Sequence, residues 1–220
     1  MLRNNVVPNR QSHRYKGYDY ASAGAYFVTI CIQHFRSLLG EVVNQEMINN
    51  AAGKMLQSEW IKLPERFPTI QLDEFAIMPN HLHFIVWLQF DPNRVESPTS
   101  TQADHASAPN EKSSVRVGIV PAPDDKTLDP KFWLQPTLGN FVGVFKSLTT
   151  NAYIDGVKNQ GWPRFAKHLW QRDYYDHIIR NEIELEQIRH YIRTNPTRWL
   201  KDQLHPNAPP NPFNRNRLND

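Results

Sequence analysis

The chain has one cysteine, Cys31, among its 220 residues. No intrachain disulfide can form, and a buried structural thiol is the expected role. It has no run of about eighteen apolar residues, the length a membrane-spanning helix needs. The opening residues lack the apolar core of a secretory signal, so a cytoplasmic location is expected. Glycine is scarce, nine residues against seventeen prolines, and the prolines crowd into two stretches that should be irregular. Net charge is only +3, too little to name a partner, but its sign is unevenly spread. Residues 1–16 carry Arg3, Arg10, Arg14 and Lys16 with no acid, and the stretch from Lys131 to Lys201 is also net basic. Such a distribution suits a polyanion, or equally a solvated surface that happens to be basic.

What is present is a strong pattern of short elements. Residues 24–32 are rich in β-branched and aromatic types and predict a first strand. Asn49 or Asn50 caps a helix with Ala52, Met55, Leu56 and Trp60 on one face, and Pro64 is expected to end it. Residues 70–78 predict a second strand, and the turn Met78-Pro79-Asn80 leads back into a hairpin partner. Between about 91 and 130 the composition turns to Pro, Ser, Thr, Ala and Asp, which predicts a largely disordered insert. A helix follows on Leu138, Phe141, Val142, Phe145 and Leu148, then a strand over 172–179. A last helix is expected from a capping box at Asn181 and Glu184 to Thr194, stopped by Pro196. The order β-α-β-β-α-β plus a helix predicts an α+β, ferredoxin-like four-stranded antiparallel sheet with helices on one face and the other face open. The domain plan is a basic arm (1–16), one domain (17–204) holding the insert, and a disordered tail (205–220).

The chemistry-bearing feature is His81-Leu82-His83 at the start of the apolar run Phe84-Ile85-Val86-Trp87-Leu88. Alternation along a strand sends both imidazoles to one face, while Leu82, Phe84, Val86 and Leu88 face the core. Two imidazoles on a rigid strand are most of a metal site. On the last helix Tyr191 and Asn195 are four residues apart, so both project from one face if the helical turn persists, with Gln187 one turn earlier. The Asn195 amide oxygen would complete a two-histidine, one-amide site, with the Tyr191 phenol beside the ion. A phenol with a pKa near 10 is a weak nucleophile at neutral pH, and a cation on a phosphodiester oxygen would help by polarising the electrophile. Attack by Tyr191 would store the phosphoester bond as a phosphotyrosine. The alternative is that Tyr191 simply packs under the sheet.

Three separated blocks then carry a resemblance: residues 78–83 (MPNHLH), 170–180 (WQRDYYDHIIR) and 191–196 (YIRTNP). Together with residues 16–20, 25–30 and 138–147 they resemble the IS200-like single-tyrosine (HUH) transposases, and more narrowly their REP-associated branch. The resemblance covers roughly residues 10–90 and 135–200. It implies a ferredoxin-like endonuclease and transposase domain that cuts and rejoins single-stranded DNA near a hairpin with Mg²⁺ or Mn²⁺, in a cytoplasmic, nucleoid-associated setting. By position, His81 and His83 match metal ligands, Tyr191 the nucleophile and Asn195 a polar third ligand, with His177 in reserve. Imidazole-rich sites also suit transition metals, so ligand type alone does not select the ion.

Arg14, Lys16, Lys146, Arg172, Arg180, Arg189 and Arg193 are candidate phosphate contacts, and Trp170, Tyr174 and Tyr175 candidate stacking partners for an unpaired base. The expected partner is single-stranded or hairpin DNA, bound by a monomer or a homodimer. Two other readings compete: a DNA-binding protein that recognises a structured repeat without cutting, and a metal-dependent hydrolase that uses water instead of Tyr191.

Overall fold

The computed structural model describes residues 19–89 and 136–209. The basic arm, the expected insert and most of the tail therefore lie outside the described residues, and Arg14 and Lys16 with them. Residues 205–209, expected in the tail, are described and close turns onto Asp202 and His205.

The described chain forms β1 (Gly24–Cys31), the hairpin β2 (Gly40–Val43) and β3 (Glu46–Asn49), α1 (Ala51–Arg66), β4 (Ile70–Met78), β5 (His81–Leu88), α2 (Leu138–Asn159), β6 (Tyr175–Ile179) and α3 (Glu182–Thr194). Strands β4, β5, β1 and β6 lie side by side in that order, each neighbour antiparallel. This is the expected ferredoxin-like plan, with the histidine strand and the first strand at its centre. The β2–β3 hairpin forms a separate two-stranded sheet. It was not anticipated, because its strands are four residues each. Its turn residues Asn44 and Gln45 both take positive φ, as a tight two-residue hairpin turn requires.

Alternation sorts the sheet into two faces. Tyr26, Val28 and Ile30 of β1 and Leu82, Phe84, Val86 and Leu88 of β5 enter the main core with α1 and α2. Trp60 of α1 anchors that core, stacked on Phe75 at 4.6 Å and tilted against Phe84 at 4.8 Å. Helix α1 is capped by Asn50, which accepts from Gly53 N at 3.0 Å. It does not stop at Pro64 but runs to Arg66. The exposed ring costs one backbone hydrogen bond on the solvent side, and the Phe67 N–H to Leu63 carbonyl bond closes the final turn.

The second face is not open, contrary to expectation. Helix α3 lies on it and buries Leu185 and Ile192 against Ala25, Ile85 and Ile179. Asn181 caps this helix by accepting from Glu184 N, but the Glu184 carboxylate bonds Arg180 N and His177 rather than the cap residue. The device that seats α3 is a bulge in β4. The register slips between Leu72 and Phe75, so both of those side chains stay in the core and Asp73 and Glu74 are freed to meet the helix. Asp73 takes a two-pronged bond from Arg189 (3.0 and 2.7 Å) and one from Trp87 Nε1 at 2.8 Å. One helical turn on, Arg193 grips Glu74 at 2.7 and 2.6 Å. Burial alone would raise the Asp73 pKa, but the bonds from Arg189 and Trp87 outweigh it and hold the carboxyl below its usual value.

Asp73→Asn should lower unfolding free energy by about 2 kcal/mol, between the values for exposed and buried ion pairs. Glu74→Gln should cost less than about 1 kcal/mol, because Arg193 is half exposed. Because the native Asp73 pKa is depressed, its contribution is complete above the ordinary carboxyl pKa of about 3.9 and is lost as acid titrates it below that. Urea melts of both variants at pH 7 and of the parent down to pH 3 measure each effect.

Candidate metal and nucleophile site

The site grows from the register of two central strands. Cys31 pairs with His81 and Thr29 with His83, so both imidazoles leave the face that α3 covers. They are almost fully buried, at 0% and 2% exposure. Burial disfavours the imidazolium: His83 is pushed down to about 3, and His81 well below its usual value by burial and by its neighbour His83. Both rings are therefore neutral at physiological pH, the form that offers a lone pair.

The tautomer of His81 can be deduced. Asn80 Nδ2 donates to two carbonyls, Phe35 O at 3.1 Å and Leu204 O at 2.7 Å. That leaves its Oδ1 facing His81 Nδ1 at 2.7 Å, so His81 carries its proton on Nδ1 and presents a bare Nε2. His83 Nδ1 lies 2.8 Å from the Thr29 hydroxyl, which can donate or accept. The two Nε2 atoms converge to 3.0 Å. This is the arrangement of metal-binding histidines whose outer nitrogens are held by second groups.

Asn195 keeps helical dihedrals (φ −58°, ψ −43°) although Pro196 follows it. The chain does not break there but continues as a 3-10 segment, Pro196–Lys201. That continuity keeps Asn195 on the Tyr191 face and delivers Asp202 into the same space. Asp202 Oδ2 lies 3.8 Å from His81 Nε2, and one donor atom each from His81, His83 and Asp202 fall within 4.8 Å of one another. Asn195 is 2% exposed, its amide favours the ionised forms of Tyr191 and Asp202, and its buried Oδ1 has no hydrogen-bond partner. Two ligands about 2.1 Å from one ion sit roughly 3.0 Å apart when adjacent and at most about 4.2 Å when opposite. The His81–His83 and His81–Asp202 spacings, the bare Nε2 and the orphaned amide oxygen fit a divalent cation.

Tyr191 completes the group. Its hydroxyl is 3.4 Å from His83 Nε2, and its ring lies edge-on to His83 at 5.3 Å and to Phe27 at 6.0 Å. Phe27 stacks on His83 at 5.5 Å, and Trp199 flanks His81. The ring is 37% exposed with its hydroxyl turned inward. Burial, followed by the nearby Asp202 charge, pushes the phenol up to about 12, against the Asn195 hydrogen bond and Arg198.

The other sequence candidates scatter. His177, the reserve ligand, sits exposed on edge strand β6 and bonds Glu184 at 2.7 Å, outside the His81–His83–Asp202 group. Lys146 does not face outward as a phosphate contact would. Its ammonium bonds the carbonyls of Gln171, Arg172 and Asp173 and lies over the Tyr174 ring, and burial lowers its pKa to about 8. Arg189 and Arg193 are engaged by Asp73 and Glu74, Trp170 is buried and donates to Thr149, and Arg172, Arg180 and Gln187 are exposed. Reasoning from sequence missed Asp202, Thr29 and Asn80. Asn80 and Thr29 stand within recognised blocks, but the only signal for Asp202 was an acid seven residues past Asn195, screened by the proline.

No protein-family profile matches the chain. A solved REP-associated tyrosine transposase bound to a REP hairpin is similar over 84% of this chain and 73% of its own, at 20% identity and a TM-score of 0.47. A candidate transposase from Deinococcus radiodurans R1 is similar over 82% and 95%, at 14% identity and a TM-score of 0.38. The fold itself stands on the strand order described above. In sequence, an uncharacterized protein of Haemophilus influenzae is 33% identical over 203 residues, 90% of this chain and 94% of its own length. With a third of its positions shared almost end to end, the chain belongs to one family with that Haemophilus influenzae protein.

Proposed function

We propose that this protein is a single-strand DNA endonuclease and strand transferase of the IS200-like single-tyrosine type, with Tyr191 as nucleophile. The observation that carries the reading is the meeting of the Tyr191 hydroxyl with the converging Nε2 atoms of His81 and His83, beside the unpartnered Asn195 oxygen. His81 and His83 would hold a divalent cation, with Asn195 Oδ1 and the Asp202 carboxylate as the remaining protein donors. Mg²⁺ or Mn²⁺ held there would supply charge that draws electrons off a phosphodiester.

The rest of the chemistry belongs to the side chains. Tyr191 Oη gives up its proton and forms a bond to phosphorus, the bond from phosphorus to one strand oxygen breaks, and that oxygen takes up a proton and leaves as a free hydroxyl. The phosphotyrosine conserves the ester, so a second strand hydroxyl can reverse the step without a nucleotide cofactor. With the phenol pushed up to about 12 in the ion-free site, phenolate is scarce at pH 7, and positive charge beside it would make it available. The Asn195 amide, which favours the phenolate, would steady its charge. Asn80 holds the His81 tautomer, and Phe27 walls the His83 ring.

A labelled single-stranded hairpin oligonucleotide with Mg²⁺ or Mn²⁺ should give an SDS-resistant protein–DNA adduct on a denaturing gel. Tyr191→Phe should abolish the adduct and leave hairpin binding within about threefold; cleavage that survives this change would refute the tyrosine mechanism and favour activated water. Independently of activity, Mn²⁺ at a hundredfold its dissociation constant should stabilise the fold by about 2.7 kcal/mol. That corresponds to a rise in melting temperature of roughly 5–10 °C for a chain of this size. His83→Ala should lose that rise.

A further inference from the structure

We propose that residues 32–40 and 160–172 form a backbone-binding track along which single-stranded DNA approaches His81 and Tyr191. This rests on the nuclease reading above and adds where its substrate lies. The two segments are zipped together: Gln33 N donates to Leu169 O at 2.8 Å, Ile32 bridges Trp170, and Arg36 donates to the Arg164 carbonyl at 2.7 Å. From this double segment His34, Arg36, Arg164, Lys167, His168 and Arg172 stand exposed. Neither stretch contains a single Asp or Glu. Solvated surfaces ordinarily intersperse both signs, and the α3 edge of the molecule does so, with Asp73, Glu74, Glu182 and Glu186 around Arg189 and Arg193.

Two further observations separate this surface from an accidental run of cations. His34, Phe35 and Lys167 are held at φ 58°, 52° and 57°, a left-handed conformation that side chains disfavour and that collects at working loops. The track is also tied to the site by hydrogen bonds. Ile32 N donates to the Asn80 carbonyl at 2.8 Å, and Asn80 Nδ2 grips the Phe35 carbonyl while its Oδ1 orients His81. The double segment thus begins one residue beyond the Cys31–His81 pair. The Phe and Trp rings of the two segments are buried or half-buried, so recognition is chiefly by phosphate charge and is largely independent of base sequence.

The test is a salt titration of binding to a fluorescein-labelled DNA 30-mer with a central hairpin and single-stranded flanks, using the full chain. Each phosphate contact to a single strand contributes about 0.7 to the slope of log K against log salt. The R36Q/R164Q/K167Q variant should bind at least tenfold more weakly at 150 mM salt, with the slope reduced by about 2. The R36K/R164K/K167R variant, which keeps the charge but not the Arg36–Arg164 bond, should match the parent. Parental affinity and slope in the glutamine variant would overturn the track. So would equal loss in both variants, no binding by the parent, or tighter binding of the RNA of the same sequence. If the glutamine variant loses binding as expected but the parent forms no Tyr191 adduct, the track stands and the strand-cutting reading falls. If adduct forms and the glutamine variant binds normally, only the track falls.

Discussion

The docking of α3 on the sheet is the constraint on which the site depends. Tyr191 is part of that helix, Asn195 closes it, and Asp202 follows from the turn that continues it. The apolar contacts of Leu185, Ile188 and Ile192 supply attraction but little directional control. Direction comes from two neighbouring carboxylates that a regular strand would send to opposite faces. The extra residue in β4 lets both reach arginines spaced one turn apart. A helix held at two such points can neither roll nor slide by a residue without breaking one grip.

Covering the second face also sets the electrostatics. An open sheet would leave His81 and His83 in water with ordinary pKa values. Beneath α3 and between Phe27 and Trp199 they are dry and neutral, which removes protons as competitors for their lone pairs. The same burial raises the Tyr191 phenol and the Asp202 carboxyl. One physical cause thus makes better ligands of the histidines and a more reluctant nucleophile of the tyrosine, a balance that only added positive charge relieves.

Much of this was legible in the residues. The alternation in His81–Leu88 gave both faces of β5, and the four-residue step from Tyr191 to Asn195 placed them together. The element order was sufficient for the sheet topology. What escaped was tertiary. Pro64 looked like a stop, yet its exposed ring lets α1 run on to Arg66, whereas Pro196 ends α3 after Thr194 as expected but is followed by a 3-10 segment that carries Asp202 to the histidines. The closing of the second face depends on a bulge, which has no signature in composition. Lys146 looked like a free cation because sequence does not show that three carbonyls converge on it.

The forked amide of Asn80 has a wider meaning. Its two N–H bonds clasp a carbonyl at residue 35 and another at residue 204, on parts of the chain 169 positions apart. Those clasps are the reason the oxygen, and not the nitrogen, faces His81. Without the Leu204 carbonyl the amide keeps only the longer Phe35 bond, and an amide turned end for end would drive the imidazole proton from Nδ1 to Nε2, capping the lone pair that a cation needs. The Leu204 carbonyl thus acts as a rotational lock, so that a properly set ligand exists only once the chain has folded from residue 35 through residue 204.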